Sequence, residues 1–365
     1  MPDAIKIIPP FVRQLIAIFV IGAVLFAVNG VVEGPHFGQY RESILIFCGI
    51  NIVLAVALNI VNGFTGQFSL GHIGFYAIGA YVTAAFATYG HDRFFSGLPI
   101  DGSSPSILHQ IVPVFVLTTA AGLAAAVAGL VVGLPSLRLR GDYLAIITLG
   151  FAQIIQVIIR NIKAVDGATS FNGIAHGNTT ILTPHLTNFL WVYVAVAVIL
   201  WVAYALRFST HGLAFLAVRD DEIAAESMGI NTTRYKVIAF LISAYFTGVA
   251  GSLFALYLPS LSNDQFSFVR SIDILVMVVL GGLGSISGVT LAAILLTTLP
   301  EFLRSVDQYR LVIYPLLLIL LMLTRPQGIF GRDEMSKTWL MGQWKAIRGV
   351  FVRKKPSPSV PLPPS

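Results

Sequence analysis

Residues 43–81 read Ser43-Ile-Leu-Ile-Phe-Cys-Gly-Ile-Asn-Ile-Val-Leu-Ala-Val-Ala-Leu-Asn-Ile-Val61-Asn62-Gly-Phe-Thr-Gly-Gln-Phe-Ser-Leu-Gly-His72-Ile-Gly-Phe-Tyr-Ala-Ile-Gly-Ala-Tyr81. The first half is an apolar run of the length that carries a helix across a bilayer, about 20 residues. The second half breaks the run with polar side chains and glycine, then resumes it. Working outward, residues 11–32, 43–61, 68–89, 107–134, 143–162, 188–206, 237–258, 272–283, 287–303 and 309–324 are all apolar enough to cross or enter a bilayer. The eighth and ninth segments, 272–283 and 287–303, are short for a straight crossing and fit full spans or re-entrant, broken ones. The fold expected is an all-α integral membrane protein, a polytopic helical bundle of about eight to ten transmembrane helices.

Composition points the same way. Of 365 residues 56% are hydrophobic and 11% charged, against about 25% charged in soluble domains, and the mean hydropathy is +0.82. A water-soluble globule, a disordered chain and a disulfide scaffold are excluded. Cys48, the one cysteine, lies inside an apolar run and is expected to be a small core residue. The net charge of +6 would suit a nucleic-acid partner in a soluble protein, but in a bilayer basic residues are first topology markers. With the N-terminus placed in the cytoplasm, 16 Lys and Arg fall inside and 7 outside, 8 of the inner ones in the C-terminal tail. Both termini are therefore expected to be cytoplasmic.

The first segment follows Lys6 and Arg13 and reads as an uncleaved anchor. Residues 1–335 are expected to form the membrane domain. Within 336–353, Leu340, Trp344, Ile347 and Phe351 share one helical stripe beside Lys345, Arg348 and Arg353, an amphipathic interfacial segment. Residues 354–365 are a proline-rich tail expected to be disordered.

Missing motifs narrow the chemistry. No Lys follows a Gly anywhere, so the chain has no phosphate-binding loop of the Gly-Lys type and is not expected to hydrolyse nucleotide itself. The seven His are scattered and no His-Glu-x-x-His occurs, leaving no metal-ligand set and no catalytic residues to nominate.

Polar groups inside the apolar runs carry the functional reading. Gly63, Gly66, Gly71, Gly74 and Gly79 are interleaved with Thr65, Gln67, Ser69 and His72. Polar, glycine-broken backbone at membrane depth either lines a cavity or makes a tight helix junction. On the preceding span Asn51 and Asn62 lie about 20° apart on a helical wheel, with Asn59 within roughly 80° of both. That stripe is expected to face protein or water. Gly281-Gly-Leu-Gly284-Ser-Ile-Ser287 repeats the Gly-x-x-Gly-x-x-Ser spacing of Gly63, Gly66 and Ser69. In the fifth segment Gln153, Gln156 and Arg160 share a face, where the amides need partners or a polar path. Arg160 sits near the outer end and fits snorkelling to the interface better than contact with a carboxylate.

On the cytoplasmic side, residues 212–231 read as one amphipathic helix with Leu213, Leu216, Ala217, Ile223 and Ala224 along one side, stopped by Gly229. Such a helix is either a solvated connector or a docking element for a cytoplasmic partner.

Taken together, Asn62 to His72, Leu137-Arg-Leu-Arg-Gly-Asp-Tyr-Leu-Ala-Ile-Ile-Thr-Leu-Gly150, Ala217-Val-Arg-Asp-Asp-Glu-Ile-Ala-Ala-Glu-Ser-Met-Gly229, Val279-Leu-Gly-Gly-Leu-Gly-Ser-Ile-Ser-Gly288 and Thr324-Arg-Pro-Gln-Gly-Ile-Phe-Gly331 resemble the permease subunits of branched-chain amino acid ABC importers. The resemblance implies a transport subunit in a bacterial inner membrane. It implies pairing with a second, related permease, two ATP-binding subunits that use the ATP, and an extracytoplasmic solute-binding protein. No cofactor would be bound directly, and no nucleic acid is involved. Arg219, Asp220, Asp221, Glu222, Ala224, Ala225, Glu226 and Gly229 would form the ATPase-coupling loop. Asn51, Asn59, Asn62, Thr65, Gln67, Ser69, His72, Gln153 and Gln156 are the candidate translocation-path residues. Two departures stand out. The family's Glu-Ala-Ala-x-x-x-Gly appears as Ile223-Ala-Ala-Glu-Ser-Met-Gly229, and Gln153 and Gln156 stand where the family often has charge. Related permeases for urea or short amides, and a secondary transporter or channel, are the alternative readings.

Overall fold

The computed structural model describes residues 38–89, 107–136, 142–162, 187–258 and 260–303, with residues 28, 29, 32, 170, 171, 174–176, 179–181, 315, 316, 319 and 323. The proposed interfacial segment 336–353 and the tail 354–365 lie outside the described residues, as do most of segments 11–32 and 309–324.

Helix α1, Gln39–Asn59, runs without a break into a π-helical turn at Ile60–Phe64. It is followed by α2, His72–Tyr89, α3, Ile107–Ser136, and α4, Asp142–Asn161. Next come α5, Phe189–Arg207, two short helices α6, Thr210–Asp220, and α7, Glu222–Ser227, and the long α8, Thr232–Tyr257. Helices α9, Phe268–Gly281, and α10, Ile286–Phe302, close the described part. Among the described residues, five helical stretches are long and apolar enough to cross a membrane: Tyr40–Phe64, Ile111–Ser136, Tyr143–Asn161, Phe189–Arg207 and Thr232–Tyr257. At 1.5 Å per residue, α9 and α10 reach only about 21 and 26 Å, short of a hydrocarbon core of about 30 Å.

Helix α8 is the hub, touching α1, α2 and α3, while α10 lies on α1 and α9. Small residues let backbones meet, as they must where lipid tails give no hydrophobic drive between helices. A Cβ on Gly79 of α2 would fall 2.2 Å from the Gly248 carbonyl oxygen of α8. One aromatic cluster, Tyr76, Phe254 and Phe266, fills the space beside this contact with ring centroids 5.3–6.0 Å apart.

The connections between the long helices hold structure that the sequence reading did not give. The connection after α4 contains β1, Ser170–Phe171, which pairs antiparallel with β4, Leu261–Ser262. It also contains a hairpin of β2, Ile174–His176, with β3, Thr179–Ile181. And residues 212–231 are not one helix. Asp221 adopts extended backbone and its carboxylate accepts from the Ile223 and Ala224 N–H groups at 2.9 and 3.0 Å, so α6 ends and α7 starts there.

Candidate functional site

Two glycine turns meet at one end of the bundle. The first follows α1 and the second joins α9 to α10. Gly66 and Gly284, equivalent positions in the Gly-x-x-Gly-x-x-Ser repeat, both take positive φ, +68° and +90°, where a side chain is strained. The turns touch through Asn59. Its Oδ1 accepts from the Gly284 N–H at 2.9 Å and its Nδ2 donates to the Ser285 carbonyl at 3.3 Å. Gly63 lies so close to Gly284 that no Cβ fits between them. The repeat therefore places two similar turns side by side.

A buried hydrogen-bond chain ties the first turn to the hub. Ser243 Oγ of α8 donates to the Ala57 carbonyl at 2.5 Å. That spends its proton, so its 2.6 Å contact with His72 Nε2 must be donated by the histidine. Nδ1 then accepts from Ser69 Oγ at 3.3 Å. Nearby, Thr65 Oγ1 donates to the Val61 carbonyl at 2.8 Å and Asn62 Oδ1 accepts from the Ser69 N–H at 3.2 Å. All of these side chains are buried. Asn59, Thr65, Ser69 and His72 thus share one buried, hydrogen-bonded junction between helices.

Other polar residues are placed differently. Among the described residues, neither end of the buried Gln67 amide has a partner, nor do Asn62 Nδ2 and Gln153 Nε2. Gln156 Nε2 donates to the Asn263 carbonyl at 3.2 Å, at the far end of the bundle, where Arg160 approaches Asp264 at 3.8 Å. Asn51, despite sharing the wheel position of Asn62, is buried between α9 and α10. Its Nδ2 donates to Thr297 Oγ1 at 2.8 Å and its Oδ1 accepts from Arg270 Nη2 at 2.7 Å.

Arginines from α5 and α6 hold the two turns. Arg219 Nη1 donates to the Gly63 carbonyl at 3.2 Å while its Nε contacts Asp220 at 3.2 Å, and Arg207, from the end of α5, donates to the Gly284 carbonyl. Behind them Glu222 pairs with the buried Lys236 at 2.5 Å, and Glu226 accepts from Thr232 at 2.7 Å, locking α7 onto the start of α8. Gly229, φ +84°, ends α7 with a Schellman pair, Gly229 N–H to the Glu226 carbonyl and Ile230 N–H to the Ala225 carbonyl. The buried face of this segment is Ala214, Phe215, Val218 and Ala225. Of the apolar side read from sequence, Leu213 is 67% and Ile223 65% exposed, beside Met228 at 82%, and Ala224 is also exposed, while Leu216 and Ala217 are half-buried.

Ser243, Ser285, Arg207 and Arg270 were not picked out by sequence reasoning. Single polar residues in or next to apolar runs were the available signal.

These features define a multi-pass helical membrane protein whose polar groups gather at broken helices and whose connecting helices hold the breaks in place. The chain belongs to the family described as "Branched-chain amino acid transport system / permease component", which residues 40–323 match. It is 36% identical over 324 residues to the high-affinity branched-chain amino acid transport system permease protein LivM of Salmonella typhimurium, covering 81% of this chain and 71% of the relative. It is 37% identical over 308 residues to LivM of Escherichia coli K12, covering 77% and 67%. LivH of Escherichia coli K12, also a permease protein of that transport system by name, is 32% identical over 151 residues, 40% of this chain and 48% of LivH. No solved structure matches.

Proposed function

We propose that the chain is a transmembrane permease subunit of an ATP-driven importer for branched-chain or other apolar amino acids in a bacterial inner membrane. In this reading eight to ten helices cross with both termini in the cytoplasm, and the path forms between this chain and a second, related permease. Two ATP-binding subunits hydrolyse the ATP, and an extracytoplasmic binding protein delivers the solute. Kinship to LivM supports the solute class.

The observation that carries the mechanism is the grip of Arg219 on the Gly63 carbonyl. The α6–α7 segment presents exposed Leu213, Ile223 and Met228 outward and holds a glycine turn on its other side. A motor subunit docked on the exposed face would move the turns as one body with α6. Nucleotide would then bias a two-state opening of the path. Asn62, Gln67 and Gln153, whose amide nitrogens have no partner among the described residues, are the path residues proposed to meet water or solute as the turns move. Asn59 and His72 hold the hinge.

The test is uptake by the complete complex in proteoliposomes with ATP on the motor side. Labelled leucine should accumulate, be competed by isoleucine and valine, and resist competition by urea and short amides. Competition by urea or amides, or uphill accumulation by this chain alone under an ion gradient, would overturn the reading.

A further inference from the structure

At the end of the bundle away from the glycine turns, α1, α9 and α10, with Pro315, line a half-open cavity of about 460 Å³. Small-molecule sites occupy about 300–1,000 Å³ and combine an apolar wall with a few placed polar groups. Here the polar groups are Asn51, Arg270, Asp273, Thr297 and Glu301. The apolar wall includes Phe47, Met277 and Leu296.

Arg270 stands in the first turn of α9. Its guanidinium crosses to α1, donating through Nη2 to Asn51 Oδ1 at 2.7 Å, while Nη1 stays 3.9 Å from Asp273 Oδ2. A guanidinium has five N–H donors in a fork that matches a carboxylate, and one firm bond leaves the fork able to take another. The Arg270 and Asp273 side chains keep 29% and 37% of their surface exposed. Asn51 is itself fixed by Thr297, so Arg270 is braced on a buried base.

We propose that this cavity is a binding site for the zwitterionic head and apolar side chain of a free α-amino acid. Arg270 receives the carboxylate, Asp273 and Glu301 face the ammonium, and Met277 and Leu296 cover the side chain. The site lies on the bundle end opposite α6–α7. It rests on the importer reading above and gives that importer a receiving site of its own, separate from its binding protein.

The probe is photo-leucine, the diazirine analogue of leucine, irradiated with the complete complex in nanodiscs, followed by peptide mapping. Label should appear on peptides carrying Met277 or Leu296, be competed by excess leucine but not by leucinamide, and fall at least tenfold in Arg270→Gln. Leu296→Trp, which fills the cavity without touching charge, should also abolish it, so the test survives if Arg270→Gln fails to assemble. Label elsewhere only, label that leucine does not compete, or label unchanged in an assembled Leu296→Trp complex would overturn the site. Labelled leucine uptake is measured on the same preparation. If the wild-type complex accumulates no leucine, the importer reading falls and takes this site with it. If it accumulates leucine but shows none of the expected labelling, the site alone falls.

Discussion

Gly63→Ala puts one methyl group where two turns meet. An ideal Cβ there lies 2.1 Å from Asn59 Oδ1, 2.4 Å from Gly284 N and 2.8 Å from Gly284 Cα. Two of these three are backbone atoms of the opposite turn, so no change of rotamer relieves them. Overpacking of this kind costs about 1–3 kcal/mol. The third atom is the acceptor for the Gly284 N–H, and stranding that buried donor adds about 1–3 kcal/mol. The expected loss is about 2–6 kcal/mol, which for a chain of 365 residues, at about 1.3 °C per kcal/mol, lowers the melting midpoint by about 3–8 °C. The assay is thermal unfolding of the full chain in detergent, followed by intrinsic tryptophan fluorescence. Gly150→Ala is the control. Its Cβ meets nothing within 4 Å, and on a helix the change gains about 0.5–1 kcal/mol. If Gly63→Ala melts at or above the wild-type midpoint, the two turns do not touch and the hinge built on them is wrong.

Two further outcomes follow from the same geometry. Gln67→Met removes a buried amide with no partner among the described residues, so it should raise the melting midpoint, by about 1–3 kcal/mol in stability, while lowering ATP-driven uptake. A drop in stability would mean that Gln67 is bonded after all. Ile223→Glu with Met228→Glu alters exposed positions and should leave the stability of the isolated chain within about 0.5 kcal/mol per site, yet reduce co-purification of the ATP-binding subunits at least tenfold. Unchanged co-purification would place the motor interface elsewhere.

Membrane residence and the places of the helices were legible in the chain alone. The run read at 107–134 is α3, Ile107–Ser136, and that at 188–206 is α5, Phe189–Arg207. A bilayer explains this ease. Every backbone polar group must be satisfied within the segment, so apolar length alone dictates a helix and needs no distant partner. The glycine-rich stretches were also recognisable, since broken backbone in apolar sequence stands out by composition.

What each polar residue does was decided by tertiary structure. Asn51 and Asn62 share a wheel face, yet Asn51 bonds Thr297, 246 positions along the chain, while Asn62 Nδ2 has no partner among the described residues. Asn59 finds its partners 225 and 226 positions away, at the second glycine turn. Helical periodicity says which way a side chain points from its own axis but not what waits there. The outward face of α6–α7 was hidden for the same reason. Burial of Phe215 and Val218 depends on which surface of the bundle the segment lies against, and Leu213 is no less apolar than they are. Hydrophobicity marks residues that avoid water; only the assembled bundle determines which of them its own atoms have room to cover.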